Sequence, residues 1–85
     1  MPTQTVNVGS EVGLHARPAA LIAEAAADLD SEVTLAVPGD EPVDASSALL
    51  IMTLGAKKGD PIEVSSEDQA ALDKIAALVA EDLDA

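Results

Sequence analysis

The alternation of apolar and polar residues along the chain predicts four short strands. Residues 3–8 and 62–65 alternate over short runs, and Val33, Leu35 and Val37 alternate with polar neighbours within 31–37. The turn sequence "PGDEP" after residue 37 leads to a brief further run near Val43, which indicates a hairpin.

Apolar residues at helical spacing predict three helices between these strands. The first covers about 16–29, with an apolar stripe of Leu21, Ile22, Ala25, Ala26 and Leu29. The second is short, begins after Ser46 or Ser47 as N-cap and stops at Gly55. The third covers 66–83, with Ser66 and Gln69 in capping-box spacing and a stripe of Leu72, Ile75, Val79 and Leu83.

The resulting element order is β-α-β-β-α-β-α. Strands that alternate cleanly have one apolar face, and three amphipathic helices suffice to cover it, which predicts a two-layer α+β sandwich with an open polar sheet face. The 85 residues allow one domain, residues 1–85. Periodicity leaves the order of the strands undetermined.

Composition narrows the classes of partner. The chain has 16 Asp and Glu residues against 4 Lys and Arg, a formal net charge of −12. Such a surface repels nucleic-acid backbones and anionic lipid, so neither is expected as a partner. The N-terminus lacks the features of a signal peptide, no apolar run reaches the length of a membrane span, and there is no cysteine. We therefore expect a soluble, cytoplasmic protein.

The acidic residues are spread from Glu11 to Asp84 rather than gathered in a tail. This distribution favours a solvated surface adapted to high salt, and hence a halophilic source. A calcium site is the competing interpretation. The segment "DLDSE" lacks the glycine and the terminal Glu of a calcium-binding loop, so no metal site is predicted.

The segment "GLHARPAA" holds the only histidine, His15, and the only arginine, Arg17. It falls at the predicted start of the first helix, where unpaired amides and the helix dipole favour an anion. Pro18 suits a first helical turn because it lacks an N–H. An imidazole nucleophile beside a guanidinium that matches phosphoryl oxygens indicates a phosphorylatable histidine. Spacing alone leaves a surface or capping histidine equally open, whereas a metal site or a Ser-His-Asp triad has less support.

The two segments "GLHARPAA" and "SSALLIMTLGAKKGDPIEV" resemble the HPr family, the histidine phosphocarriers of the phosphoenolpyruvate-dependent sugar phosphotransferase system. The resemblance covers essentially the whole chain. It implies an open-faced sandwich of four antiparallel strands with three helices on one face. It also implies a carrier that takes a phosphoryl group from enzyme I and passes it to a sugar-specific IIA domain. The phosphorylated atom would be Nδ1 of His15, with Arg17 and the backbone amides of Ala16 and Arg17 stabilising the phosphoryl group.

The resemblance also places a regulatory serine at Ser47, but a plain helix N-cap explains that residue without a kinase and is the favoured interpretation. It places a hydrophobic docking patch at Ala48, Leu49 and Met52, residues that a core would also use. These side chains are smaller than those of many family members, which leaves the partner preference open.

Several interpretations of function remain open at this point. A carrier that supplies a phosphotransferase-linked dihydroxyacetone kinase subunit fits the sequence as well as one that supplies a IIA domain, for fructose or another sugar. A regulatory module that only binds partners is a further alternative, but it has no need of the histidine. In each case we expect a monomeric protein without a cofactor that is not itself an enzyme.

Overall fold

The computed structural model describes residues 2–81. Its strands are β1 (Thr3–Asn7), β2 (Val33–Ala36), β3 (Val43–Asp44) and β4 (Pro61–Ser66). Its helices are α1 (Ala16–Ala27), α2 (Ala48–Met52) and α3 (Gln69–Ala80). The predicted element order is confirmed.

The four strands form one antiparallel sheet in the order β1-β4-β2-β3. Val6 lies opposite Ile62, and Leu35 lies between Val64 on one side and Val43 on the other. The fold class is therefore the expected open-faced α+β sandwich. Strand β4, the last along the chain, lies between β1 and β2, an arrangement that periodicity alone did not determine.

The hydrophobic core lies between the sheet and the helices. Along β4, Ile62, Val64 and Ser66 are buried while their neighbours are more exposed, as expected for a strand with one covered face. The opposite face is polar, and there the hydroxyls of Thr3 and Ser65 form a hydrogen bond of 2.8 Å. The largest buried apolar side chains are Ile22, Leu35, Ile51, Ile62, Val64, Leu72, Ile75 and Val79.

Helix α1 is shorter than predicted, and one of its predicted stripe residues is exposed. The helix ends at Ala27 with Asp28 as C-cap, and Leu29 lies beyond it, half-buried against the core. Leu21 was expected in the core but is 39% exposed. Its position one turn after Arg17 puts it on the solvent-facing side of α1, because residues four apart share a helix face.

The capping box predicted for α3 is wrong. Asp68 is the N-cap, and its carboxylate accepts a hydrogen bond from the N–H of Ala70 at 3.0 Å. Ser66 belongs to β4, is fully buried, and donates from its hydroxyl to the carbonyl of Glu32 at 2.8 Å. The strand therefore continues through the residue that the sequence pattern assigned to the helix. Leu83 lies outside the described residues.

Within residues 2–81, no helix combines the length and the apolar character that crossing a membrane would require.

Candidate functional site

His15 is the N-cap of α1. Its backbone is extended, and its carbonyl accepts the first helical hydrogen bond, from the N–H of Ala19 at 2.8 Å. Its side chain is exposed, and Nδ1 accepts a hydrogen bond from the N–H of Ala16 at 3.0 Å. An imidazole nitrogen that accepts a hydrogen bond carries no proton. In the neutral ring the proton is therefore on Nε2, and the lone pair of Nδ1 accepts the Ala16 N–H.

The segment before His15 is fixed against the loop that precedes β4. The N–H of Leu14 donates to the carbonyl of Ala56 at 3.0 Å, and the Leu14 side chain is buried. Gly13 has φ +74°, and a Cβ on it would lie 2.3 Å from the carbonyl oxygen of Ala56. Only glycine fits both the conformation and the space. This close approach determines where the imidazole lies.

We expect Gly13→Ala to be much more destabilising than the same change at Gly39, which also has positive φ (+92°) but where an added Cβ would meet nothing within 4 Å. Gly39→Ala should cost about 1–2 kcal/mol from conformation alone. Gly13→Ala must also displace the Ala56 backbone, so its loss should be at least about twice as large. Urea unfolding of both variants measures the difference. Equal losses would show that the packing of Gly13 against Ala56 is unimportant.

The first turn of α1 offers donors to an anion. The N–H of Ala16 points to Nδ1 of His15, and within residues 2–81 the N–H of Arg17 has no acceptor. Pro18 contributes no N–H. The Arg17 guanidinium is exposed and forms no ion pair with the described part of the chain. The Ala16 N–H and the positive end of the helix dipole thus lie next to the unprotonated imidazole nitrogen, and Arg17, two residues further on, has an N–H unpaired within the described residues and an exposed guanidinium.

Helix α2 is the second element of the site. Ser47, rather than Ser46, is its N-cap, and its hydroxyl accepts from the N–H of Leu50 at 3.3 Å. Ser46 instead donates from its N–H and hydroxyl to the Asp44 carboxylate, at 2.9 and 2.7 Å. These two hydrogen bonds, the backbone one first, hold the pKa of Asp44 below its usual range. They also fix the turn that leads into α2.

The predicted docking residues of α2 differ in exposure. Leu49 is 70% exposed and Met52 is 36% exposed, whereas Ala48 is half-buried and packs against the core. Three further large apolar side chains are exposed and were not assigned to this patch from the sequence: Val12, Leu21 and Leu50. All five exposed side chains belong to α1, α2 or the loop before α1.

A shallow depression of about 280 Å³ connects the two elements. It is lined by Val12, Leu14, His15, Met52, Gly55, Ala56 and Lys57. His15 and Met52, both predicted as site residues, therefore share one concave surface. Lys57 is the residue that sequence reasoning missed. Its position in the loop joined to Leu14 becomes evident only from the hydrogen bond between Leu14 and Ala56.

A second depression, of about 300 Å³, lies between the C-terminal end of α1 and strands β2 and β3. Its rim includes Asp30, Glu32 and Asp44, but within residues 2–81 no three His, Asp or Glu side chains come together in a way that could hold a metal ion. The depression next to His15 is therefore the one with chemistry suited to a site, although it is marginally the smaller.

The fold and the site together define a small α+β protein with an exposed histidine at the N-terminus of a helix. A family model described as "PTS HPr component phosphorylation site" matches residues 2–81. The phosphocarrier protein HPr of Streptomyces coelicolor is 42% identical, over 99% of this chain and 94% of the relative. The phosphocarrier protein NPr of Klebsiella oxytoca is 31% identical, over 91% of this chain and 86% of the relative.

The same similarity holds in three dimensions. The crystal structure of the phosphocarrier protein HPr from Bacillus anthracis superposes with a TM-score of 0.84 at 32% identity, covering 92% of this chain and 95% of that one. The chain therefore belongs to the HPr family of phosphocarriers of the phosphotransferase system.

Proposed function

We propose that this protein accepts a phosphoryl group on Nδ1 of His15 from phosphorylated enzyme I and passes it to a sugar-specific IIA domain. The observation that carries the proposal is the hydrogen bond from the Ala16 N–H to Nδ1, at 3.0 Å. It leaves the proton on Nε2 and places the nitrogen that would bind phosphorus at the positive end of α1. Membership of the HPr family supports the same assignment.

In the transfer, the lone pair of Nδ1 attacks phosphorus while the bond from phosphorus to the donor's histidine nitrogen breaks. The bonding electrons return to that nitrogen, and nothing is oxidised or reduced. Because Nδ1 carries no proton, no base is needed to activate it. The Ala16 N–H must release Nδ1 before the attack, and it is then free to donate to a phosphoryl oxygen.

Charge stabilisation is the second requirement of phosphoryl transfer. The unpaired N–H of Arg17 and the released N–H of Ala16 are the proposed backbone donors to the phosphoryl group. The Arg17 guanidinium adds a positive charge and a fork that matches two phosphoryl oxygens. The protein thus provides a nucleophile and a temporary anion site and acts as a stoichiometric carrier, not an enzyme.

Docking is proposed to use the apolar surface beside this site. Leu49 and Met52 on α2 are exposed, and Ala48 contributes only at the margin. An exposed apolar group beside a reactive side chain is typical of a protein interaction surface. We propose that enzyme I and the acceptor use this same surface in turn, because both must approach Nδ1 of His15.

Two classes of acceptor fit the site equally well: a IIA domain, including one for fructose, and a phosphotransferase-linked dihydroxyacetone kinase subunit. A purely regulatory module is less well supported, because the nucleophile and the anion site are both present. Ser47 serves as the N-cap of α2, which accounts for the residue, and its phosphorylation stays a separate proposal.

A pulse-chase assay tests the relay. The protein is first labelled with enzyme I and radioactive phosphoenolpyruvate, separated from both, and then mixed with candidate acceptors, one at a time. Loss of label from this chain with stoichiometric gain on an acceptor supports a carrier. The carrier role would be contradicted if the label stayed on this chain in the presence of every IIA domain and dihydroxyacetone kinase subunit of the source cell.

The net charge indicates the salt conditions under which the protein works. With a net charge of −12 spread over the surface, we propose a single-domain monomer that works in the cytoplasm of a halophilic cell. High salt screens the repulsion among the carboxylates, which a core without aromatic residues resists only weakly.

We therefore expect both the melting temperature and the rate of phosphorylation by enzyme I from the same source to rise with potassium chloride. The Debye length falls from about 10 Å at 0.1 M to about 3 Å at 1 M, so most of the gain from screening should come below molar salt. Thermal melts and initial transfer rates across this series measure it. A flat or falling stability curve would contradict salt adaptation.

A further inference from the structure

Acidic residues are absent from two chain segments, one that contains His15 and one that packs beside it. None of the 16 Asp and Glu residues falls within residues 12–23 or 45–59. Three of the four basic residues do fall there: Arg17, Lys57 and Lys58. These two segments include residues 16–23 of α1 and the whole of α2, two helices that pack against each other, and they contribute the residues that line the depression beside His15. In an otherwise strongly acidic protein, this depression is therefore lined by the cation Lys57 and by no carboxylate of residues 2–81, with Glu11 and Asp60 just outside the two segments.

Lys57 has a fixed position on that face. Its N–H donates to the Asp60 carboxylate at 2.9 Å, and its carbonyl accepts from the N–H of Asp60 at 2.9 Å. Its Cα lies 2.9 Å from where a Cβ on Gly13 would be, so the Lys57 backbone packs directly against the segment before His15. The backbone that carries the Lys57 side chain is therefore held in place next to the segment that precedes His15.

The Lys57 side chain lines the depression and is exposed. It forms no ion pair with any residue in 2–81, whereas the neighbouring Lys58 ammonium lies 2.6 Å from the Glu11 carboxylate. Lys58 is therefore already neutralised by its own chain. Lys57 is the cation beside the depression whose charge is available to another molecule.

Resting on the proposed function, we propose that Lys57 strengthens the docking of phosphorylated enzyme I by binding a carboxylate of that partner over this depression. The apolar walls formed by Val12 and Met52 fit an apolar side chain of that partner, and the ammonium fits an adjacent Asp or Glu. Nδ1 of His15 accepts from the Ala16 N–H in the first turn of α1, where Arg17 and two amides are the proposed partners of the phosphoryl group. Lys57 is thus a docking cation rather than part of the transfer chemistry.

The test compares Lys57→Gln with Lys74→Gln in the phosphorylation of this chain by enzyme I. Lys74 lies on α3 and is exposed, so its substitution makes the same change in net charge away from the depression. For Lys57→Gln we expect KM for this chain to rise about 3- to 10-fold with kcat within about twofold, and Lys57→Arg to restore KM. Lys74→Gln should change KM by less than about twofold.

Salt distinguishes an ion pair from lost packing. Each variant is compared with the parent chain at the same salt, so the general response to salt cancels. The KM ratio of Lys57→Gln to the parent should be largest at about 0.05 M potassium chloride and fall as the salt rises to about 1 M, while it stays above one because a pair covered by the partner is screened less than an exposed pair. A ratio that does not change with salt, or equal effects of Lys57→Gln and Lys74→Gln, would overturn the proposal.

Two other outcomes are decisive. A fall in kcat with unchanged KM would overturn the docking role in favour of contact with the phosphoryl group itself. If the parent chain is phosphorylated on His15 but Lys57→Gln behaves like the parent, this inference fails while the proposed function stands. If the parent chain itself is not phosphorylated, the result contradicts the proposed function instead.

Discussion

Replacing His15 with Ala abolishes phosphorylation by enzyme I and phosphoenolpyruvate, because this is the only imidazole in the chain. The same change removes the side chain that caps the Ala16 N–H at the start of α1, so it should also cost about 0.5–1 kcal/mol of stability. Phosphate measured by acid lability and base stability, together with urea unfolding, reports both effects.

His15→Asn is the matched control for this prediction. Asparagine is a good N-cap residue but has no nucleophilic nitrogen. It should therefore lose phosphorylation as completely as His15→Ala while it retains close to the parent stability. Acid-labile phosphate on either variant would show that the acceptor is another residue.

Arg17→Lys slows transfer both from enzyme I and to the acceptor, on the order of tenfold, with a nearly unchanged melting temperature. Lysine keeps the charge but loses the planar fork that binds two phosphoryl oxygens, and a charged hydrogen bond is worth about 1.5–3 kcal/mol. Stability should not change, because Arg17 is exposed and forms no ion pair with residues 2–81.

Rapid-quench kinetics of both half-reactions provide the measurement for Arg17. Lys74→Arg, an exchange of the same two residue types on α3, is its control and should leave both rates at parent values. Parent rates in Arg17→Lys would remove the guanidinium from the mechanism and leave the backbone amides of Ala16 and Arg17 as the anion site.

The sequence was sufficient for the fold class because its strands and helices differ clearly in hydrophobic period. The alternation in β4 and the apolar stripe of α3 through Leu72, Ile75 and Val79 correspond directly to buried residues. Helix ends were less predictable. Ser66 has the spacing of a capping box, but its hydroxyl is used in a buried hydrogen bond to Glu32, and Asp68 caps the helix instead.

The position of the candidate site residues was predictable to the extent that they are local in sequence. His15, Arg17 and Pro18 lie within one turn, so their place at the start of α1 follows from the helix itself. The wall of the site formed by Ala56 and Lys57 was not predictable in that way. It depends on the contact of Gly13 with Ala56, which joins segments about forty residues apart.

The exposure of individual residues on helix α1 was also not predictable from the hydrophobic pattern. Leu21 satisfies a helical apolar stripe as well as Ile22 does, yet Ile22 is fully buried and Leu21 is 39% exposed. Periodicity identifies an apolar side of a helix but not which of its residues lies at the edge. The proposed docking surface is made of such exposed apolar residues. The hydrophobic pattern therefore does not separate them from the residues of the core.

The proposed function requires that Nδ1 of His15 carries the phosphoryl group. The most direct measurement is a phosphorus and nitrogen NMR spectrum of the chain, labelled with nitrogen-15 in histidine and phosphorylated by enzyme I. Coupling of phosphorus to Nδ1, with the proton retained on Nε2, is the predicted result. Coupling to Nε2, or phosphate on a hydroxyl such as that of Ser47 in place of the imidazole, would contradict phosphorylation at Nδ1 of His15.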